Sequence, residues 1–178
     1  RALSMHDDLL RLVNSDSYVD VSNQTSLLKR LEMRGVDVGD RWDLLADHAA
    51  TRIEDHILTF RDAHFCLALA AGGRTDIAND HLLSMAAFAG DNDGWTADAT
   101  GSTLIPLCEG IVAYEAGAYD RACDILWPLR NDLAPVGGSH TQRDLFRLIL
   151  EDSAVKGGRR EMARRLFSER LAAFPDDE

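Results

Sequence analysis

The sequence predicts an all-α protein built as an array of antiparallel helix pairs. Apolar residues recur at spacings of three and four along nearly the whole chain, and no segment shows the sustained alternation of a half-buried strand. Three short turns between predicted helices also share one pattern, in which an alanine follows a glycine by five residues. This repetition indicates helical hairpins that follow one another along the chain.

The periodicity places the helices in order along the chain, with ends uncertain by a few residues. We predict them over residues 21–34, 40–54, 57–71, 75–89, 102–116, 119–130, 140–156 and 159–174. The segment 40–71 carries one apolar stripe, so it fits either one long helix or two helices broken near Asp55. We expect residues 1–20 to form an N-terminal helical or partly ordered segment and residues 21–178 to form the helical repeat domain.

The three repeated turns carry the strongest signal of organisation. They begin at Gly73, Gly117 and Gly158 and lead to Ala78, Ala122 and Ala163. Glycine permits the positive φ that ends a helix, and alanine is small enough for the second helix to pack closely. Successive glycines are 44 and 41 residues apart, which is more than a compact helical hairpin needs. We expect the additional residues to form loops near 90–102 and 131–139. We expect residues 91–94 to form a solvated turn with Trp95 packed against the hairpins.

Composition excludes several classes of protein. The 178 residues are 46% hydrophobic and 28% charged, which is typical of a folded globular chain. The net charge of −11 repels phosphate backbones and anionic lipid, so we exclude nucleic acid and membrane as partners. No apolar run approaches the roughly 20 residues of a spanning helix, and no signal peptide is recognisable.

The cysteines and the first residue add two expectations. Cys66, Cys108 and Cys123 have no C-x-x-C spacing and lie in apolar helical patterns, which predicts buried free thiols and a cytoplasmic location. The chain begins at Arg1 rather than at methionine, so we expect a fragment or a processed product.

Three motifs together carry a family resemblance. They are LKRLEMRGVDVGDRW at residues 28–42, then Asp55-His56 with Phe60, Asp62 and His64, and GGSHTQRDLF at residues 137–146. The chain resembles the C-terminal part of the tetratricopeptide repeat (TPR) protein 38 family from about residue 27 to 174, although its repeat spacing exceeds the 34 residues of a standard TPR. The resemblance implies a TPR-like α-solenoid over residues 21–178 and brings no catalytic residues with it.

Histidines and carboxylates cluster between residues 47 and 64. On one continuous helix, His48, Arg52, Asp55 and Asp62 would form a polar stripe beside an apolar stripe that carries His56 and His64. Such a stripe could line a ligand-binding groove. The alternative is structural: Arg52 pairs with Asp55 or His56, and His64 is a hydrogen-bonded core residue.

A metal site is not predicted in this cluster. His56 and His64 lie two turns apart, about 12 Å along a helix, and cannot share one ion by themselves. No His-Glu-x-x-His motif occurs.

The stretch at residues 137–142 has two interpretations. Ser139 and Gln142 have the spacing of a capping box. Alternatively, two glycines before a helix N-terminus leave N–H groups free for a carboxylate or phosphate, with His140 and Arg143 nearby. No Lys-Ser/Thr pair follows, so a nucleotide-binding P-loop is excluded and we expect no cofactor.

The absence of catalytic motifs favours a binding module over an enzyme. We expect the concave face of the helix array to bind a protein or peptide. A second copy of the chain, forming a homodimer, is one such partner. The alternative is a small-molecule-binding or hydrolytic enzyme site that His56, Asp62, His64 and His140 form together. A third hypothesis is a purely structural domain of a longer chain.

Overall fold

The computed structural model describes residues 2–5, 7 and 18–173. Within these ranges every secondary-structure element is helical and no strand occurs, which confirms the predicted all-α class. The segment 1–20, predicted to be helical or partly ordered, lies largely outside the described residues. Its described parts are a short first helix, residue 7 and the beginning of the second helix.

Ten α-helices lie within the described residues. They are α1 (Ala2–Met5), α2 (Tyr18–Glu32), α3 (Arg41–Ala50), α4 (Thr59–Ala71), α5 (Thr75–Asp91), α6 (Trp95–Ala99), α7 (Ile105–Glu115), α8 (Tyr119–Leu126), α9 (His140–Lys156) and α10 (Arg160–Ala173). A π-helical turn over Thr100–Leu104 joins α6 to α7, and a 3₁₀ turn over Ala134–Val136 precedes α9.

Three predicted boundaries differ from the structure. The segment 40–71 forms two helices, the second of our two alternatives, but the break is wider than predicted, since α3 ends at Ala50 rather than near residue 54 and α4 begins at Thr59 rather than near residue 57. His56 in this break has a φ of 28° that no α-helix can continue. Part of the predicted loop 90–102 is helical, because α6 and the π-helical turn occupy it. Helix α8 ends at Leu126 rather than near residue 130, since Pro128 lacks the N–H that a longer helix needs.

The three glycine turns form as predicted. Gly73, Gly117 and Gly158 have φ values of 72°, 73° and 68°, a region that side chains other than glycine rarely adopt. The alanines that follow each of them by five residues are all buried. Each glycine therefore ends one helix, and each alanine lets the next helix pack closely.

Helix α4 lies at the centre of the fold. Every residue from Thr59 to Ala70 is buried, and α4 contacts α2, α3, α5 and α7. Cys66 and Leu67 on α4 belong to one apolar core with residues of α7, α8 and α9. Phe65 and Leu69 belong to a second core with residues of α2 and α3. One helix thus joins the two halves of the core.

Helix α2 crosses α4, α7 and α9, the three helices that are each followed by a glycine turn. It contacts α3, α4 and α9 and reaches α7 through Lys29, whose side chain is only 2% exposed. The Lys29 ammonium lies 2.7 Å from a Glu115 carboxylate oxygen, also pairs with Glu32, and lies over the rings of Trp42 and Tyr114. A buried ammonium needs such partners, so Lys29 anchors α2 firmly against α7.

The three cysteines are free and buried, as the sequence predicted. Among the described residues, no helix combines the length and the apolar character that a membrane span requires.

Candidate functional site

The predicted polar stripe does not form, because α3 and α4 are separate helices. His48 is on α3 and half-buried, with its ring against Phe65 at 5.9 Å. Arg52 and Asp55 lie in the connection between the helices, whereas Asp62 is inside the core at 1% exposure. The expectation of one continuous groove along these residues is therefore wrong, since it required an unbroken helix.

The structural alternative for Arg52 is confirmed by its contact. A guanidinium nitrogen of Arg52 lies 3.8 Å from a carboxylate oxygen of Asp55, and Arg61 approaches the same oxygen at 3.7 Å. Asp55 is exposed. These pairs hold the connection between α3 and α4 against the start of α4.

A buried polar network surrounds His56. The imidazole Nδ1 donates to Asp62 Oδ2 at 3.2 Å, and Nε2 accepts from the Ser84 hydroxyl at 2.8 Å. His81 stacks on His56 with 5.6 Å between ring centroids and bonds through its Nδ1 to the carbonyl of Ile53. Burial lowers the pKa of His81. Ser84, His56 and Asp62 therefore form one continuous hydrogen-bonded chain that joins α5, the connection and α4.

Sequence reasoning missed Ser84. It lies 28 residues from His56 in the interior of α5, and no sequence motif around it indicates a functional role. Only the packing of α5 on α4 brings the serine to the imidazole. The positive φ of His56 is a second feature that the sequence does not display, and such strained residues concentrate at functional sites.

His64 is a core residue, in agreement with the structural alternative. Its Nδ1 donates to the Phe60 carbonyl at 2.7 Å, and its Nε2 accepts from the Ser26 hydroxyl of α2 at 3.3 Å. The ring also packs against the rings of Phe60 and Phe146. Removal from water lowers the pKa of His64 to about 4, with a smaller contribution from Arg30. His64 is neutral at pH 7 and joins α2, α4 and α9.

The glycine-rich start of α9 is a capping box. The Ser139 hydroxyl accepts from the backbone N–H of Gln142, and the Gln142 side chain accepts from the backbone N–H of Ser139. Gly138 has a φ of 73°, and a Cβ there would lie 2.5 Å from the Phe60 ring. The glycine is therefore required both by its backbone and by the close approach of α4.

His140 and Arg143 lie on a different surface from the His56 network. Arg143 donates to the carbonyls of Gly137 and Gly138, and its other terminal nitrogen lies 3.4 Å from the exposed His140 ring. Both side chains line a cavity of about 230 Å³, which we call the arginine cavity. Its full lining is Arg130, Asn131, Leu133, Ala134, His140, Arg143, Asp144 and Arg147.

The four residues of the predicted enzyme site do not line this cavity together. His140 is part of its wall, whereas His56, Asp62 and His64 are buried elsewhere. His56 and Asp62 contact each other, and His64 points toward α2 and α9. Within the described residues, no group of three or more His, Cys, Asp or Glu side chains is placed to hold a metal ion.

A second surface, which sequence reasoning missed, is an apolar groove of about 240 Å³. It lies where the N-terminal ends of α2, α4, α6 and α9 meet, and we call it the tryptophan groove. Its lining is Val19, Leu58, Thr59, Phe60, Trp95, Val136, Gly137, Gly138 and Gln142. Trp95 is 65% exposed, so the expectation that it packs against the hairpins is wrong. Leu58, an apolar residue next to the predicted apolar stripe but not part of it, was the available signal.

Comparison with known proteins gives no further assignment. No protein-family model matches the chain, and no solved structure matches it significantly.

The burial of His64 predicts a specific pH dependence of stability. The folded chain keeps His64 neutral down to about pH 4, whereas the unfolded chain binds a proton below about pH 6.5. His64 therefore contributes stability above pH 6.5 that is lost as the pH falls toward 4. Between pH 7 and 5, the wild-type free energy of unfolding should fall by about 2 kcal/mol more than that of His64→Gln.

Urea unfolding of both proteins at pH 7, 6 and 5 measures this difference. His140→Gln is the matched control, because His140 is exposed and its replacement should leave the wild-type pH dependence unchanged. Equal losses of stability in wild type and His64→Gln would contradict the assignment.

Proposed function

We propose that the protein is a TPR-like α-solenoid of antiparallel helix pairs that binds a polypeptide segment in the tryptophan groove. The repeated glycine turns support the solenoid, because each ends one helix with positive φ and places a buried alanine in the next. This arrangement also agrees with the resemblance to the TPR protein 38 family. The single observation that carries the binding proposal is the exposure of Trp95 beside other apolar side chains in one groove.

Four of the ten large apolar side chains that are exposed among the described residues lie in this groove or next to it in the chain. Trp95, Leu58 and Val19 all line it and are each more than a third exposed. Ile57, next to Leu58 in the chain, is 66% exposed. Contiguous apolar surface of this kind is uncommon on a protein without partners, and tryptophan is enriched at the energetic centres of interfaces.

The charges beside the groove residues favour a basic partner. Asp20 follows Val19, Asp93 lies two residues before Trp95, and Asp98 lies three residues after it. The net charge of −11 adds long-range attraction for a positively charged segment. We therefore infer a ligand that combines large apolar side chains with lysine or arginine.

We place the ligand in this groove rather than on the face of α4, α7 and α9, where a solenoid of this type would bind it. Helix α2 lies against those three helices, and buried Lys29 holds it there. A second polypeptide could occupy that face only by removing α2, which would leave the Glu115 carboxylate buried without its cation. The groove requires no such rearrangement.

Replacing Trp95 tests this function directly. The probe is an amphipathic peptide of leucine and lysine, with a second peptide in which glutamate replaces lysine. Trp95→Ala should weaken binding of the lysine peptide at least tenfold, about 1.4 kcal/mol, because it removes the largest apolar contact. Fluorescence anisotropy of the labelled peptides measures both affinities, and the melting temperature should not fall, since Trp95 is largely exposed.

Leu83→Ala is the matched control. Leu83 is 70% exposed on α5 and does not line the tryptophan groove, so peptide affinity should stay within twofold of wild type. The proposal fails if Trp95→Ala binds as tightly as wild type, or if the glutamate peptide binds as tightly as the lysine peptide.

The hydrogen-bonded chain from Ser84 through His56 to Asp62 favours a second candidate function, ester hydrolysis. Its connectivity is that of a nucleophile, a general base and an orienting carboxylate. In this reaction the Ser84 oxygen attacks the acyl carbonyl and passes its proton to His56, which then protonates the departing alcohol. Water hydrolyses the acyl-serine and regenerates the enzyme. Backbone N–H groups inside α5 are engaged in helical bonds, so a side chain would have to stabilise the oxyanion.

Labelling with a fluorophosphonate distinguishes this candidate from a structural network. We expect a covalent adduct on Ser84, located by mass spectrometry, that is absent in Ser84→Ala and formed at least a hundredfold more slowly in His56→Gln. Ser168→Ala serves as the control, because Ser168 is an exposed helical serine whose hydroxyl donates to the carbonyl of Arg164. Absence of an adduct on Ser84 would leave the network with a purely structural role.

A further inference from the structure

The arginine cavity carries more positive charge on its wall than its carboxylate can offset. Arg130, Arg143 and Arg147 line it together with a single carboxylate, Asp144. Ala134 and His140 on the same wall are exposed, so the cavity is open to solvent. A volume of about 230 Å³ admits a small molecule and excludes a folded element.

The carboxylate of Asp144 is already engaged by arginines outside the cavity wall. Its Oδ1 accepts from Arg170 at 2.8 Å, and its Oδ2 lies 3.8 Å from Arg30. The described contacts of the Asp144 carboxylate therefore go to these two side chains and not to the three arginines that line the cavity.

Glu169 is a second carboxylate that pairs with arginines of the cavity wall, and three arginines share it. Its Oε1 accepts from Arg165 at 3.1 Å. Its Oε2 is 3.6 Å from Arg130 and 4.0 Å from Arg147, distances longer than a hydrogen bond. One carboxylate thus faces three guanidinium groups and cannot neutralise them all.

Hydrogen-bond donors around the cavity are left without acceptors. The Nε atoms of Arg130 and Arg147 are shielded from solvent and have no hydrogen-bond partner among the described residues. Arg143 donates to two carbonyl oxygens and contacts His140. Among the described residues it forms no ion pair with a carboxylate. Because these Nε atoms are buried, an anion in the cavity would bind the other guanidinium nitrogens of the half-buried Arg130, Arg143 and Arg147.

We propose that the arginine cavity is a binding site for a small phosphate monoester. A phosphate monoester carries nearly two negative charges at pH 7 and three strong acceptor oxygens, and guanidinium groups match its geometry. The net charge of −11 opposes anion binding at long range, so the affinity must come from the local excess of arginines on the cavity wall. This site is separate from the tryptophan groove and does not depend on the polypeptide-binding function.

Isothermal titration calorimetry with glycerol phosphate, inorganic phosphate and succinate tests the proposal on the full chain. All titrations are made at one ionic strength, adjusted with sodium chloride, so that screening is constant. We expect both phosphates to bind and succinate to bind at least fivefold more weakly. Ala134→Glu places a carboxylate on the cavity wall without removing any arginine, and it should weaken phosphate binding at least tenfold.

Ala86→Glu is the matched control, since Ala86 is an exposed alanine on α5 and adds the same charge away from the cavity. Its phosphate affinity should stay within twofold of wild type. Arg147→Gln provides a second variant if circular dichroism shows that Ala134→Glu is unfolded, and it should weaken binding at least fivefold. The proposal is overturned if phosphate does not bind, if the folded cavity variants bind it as tightly as wild type, or if succinate binds equally well.

Discussion

Helix α4 is buried from Thr59 to Ala70, and this constraint organises the protein. An all-round buried helix needs apolar residues or partnered polar ones on every face. Most of α4 is Ala, Leu, Phe and Cys, but Arg61, Asp62 and His64 are buried with it. Burial makes an unpartnered charged or polar group costly, so these three side chains need partners in the elements that surround α4.

The surrounding elements supply some of those partners, although Nε and Nη2 of Arg61 and Oδ1 of Asp62 form no hydrogen bond among the described residues. The connection before α4 provides His56 for Asp62 and Asp55 for Arg61, and α2 provides Ser26 for His64. Burial of α4 therefore explains why polar residues are clustered in this part of the sequence. It also explains why α2 crosses the helix array. Most of the cluster is used to hold the fold, and the surfaces open to ligands are the tryptophan groove and the arginine cavity.

The fold class and the glycine turns could be predicted because they depend on local rules. Helical periodicity and the positive φ of Gly117 are properties of short segments. The capping box of Ser139 and Gln142 is equally local, and the structure confirms it. The place of His64 in the core followed from its position in an apolar stripe.

The sites could not be predicted because they depend on contacts between distant segments. Ser84 reaches His56 only when α5 packs on α4, and Trp95 is exposed because the N-terminal ends of four helices leave a groove there. The polar stripe failed for a related reason. Residues 40–71 carry one periodic pattern, but the connection at residues 51–58 breaks the helix so that α3 and α4 can pack against each other.

Native-state hydrogen exchange tests the central role of α4 most directly. The amides of residues 63–70 should exchange only through global unfolding, with opening free energies equal to the free energy of unfolding measured with urea. The more exposed helix α10 should open at lower free energy. If the α4 amides exchange through openings more than about 2 kcal/mol below global unfolding, or more easily than those of α10, then α4 is not the centre on which the fold depends.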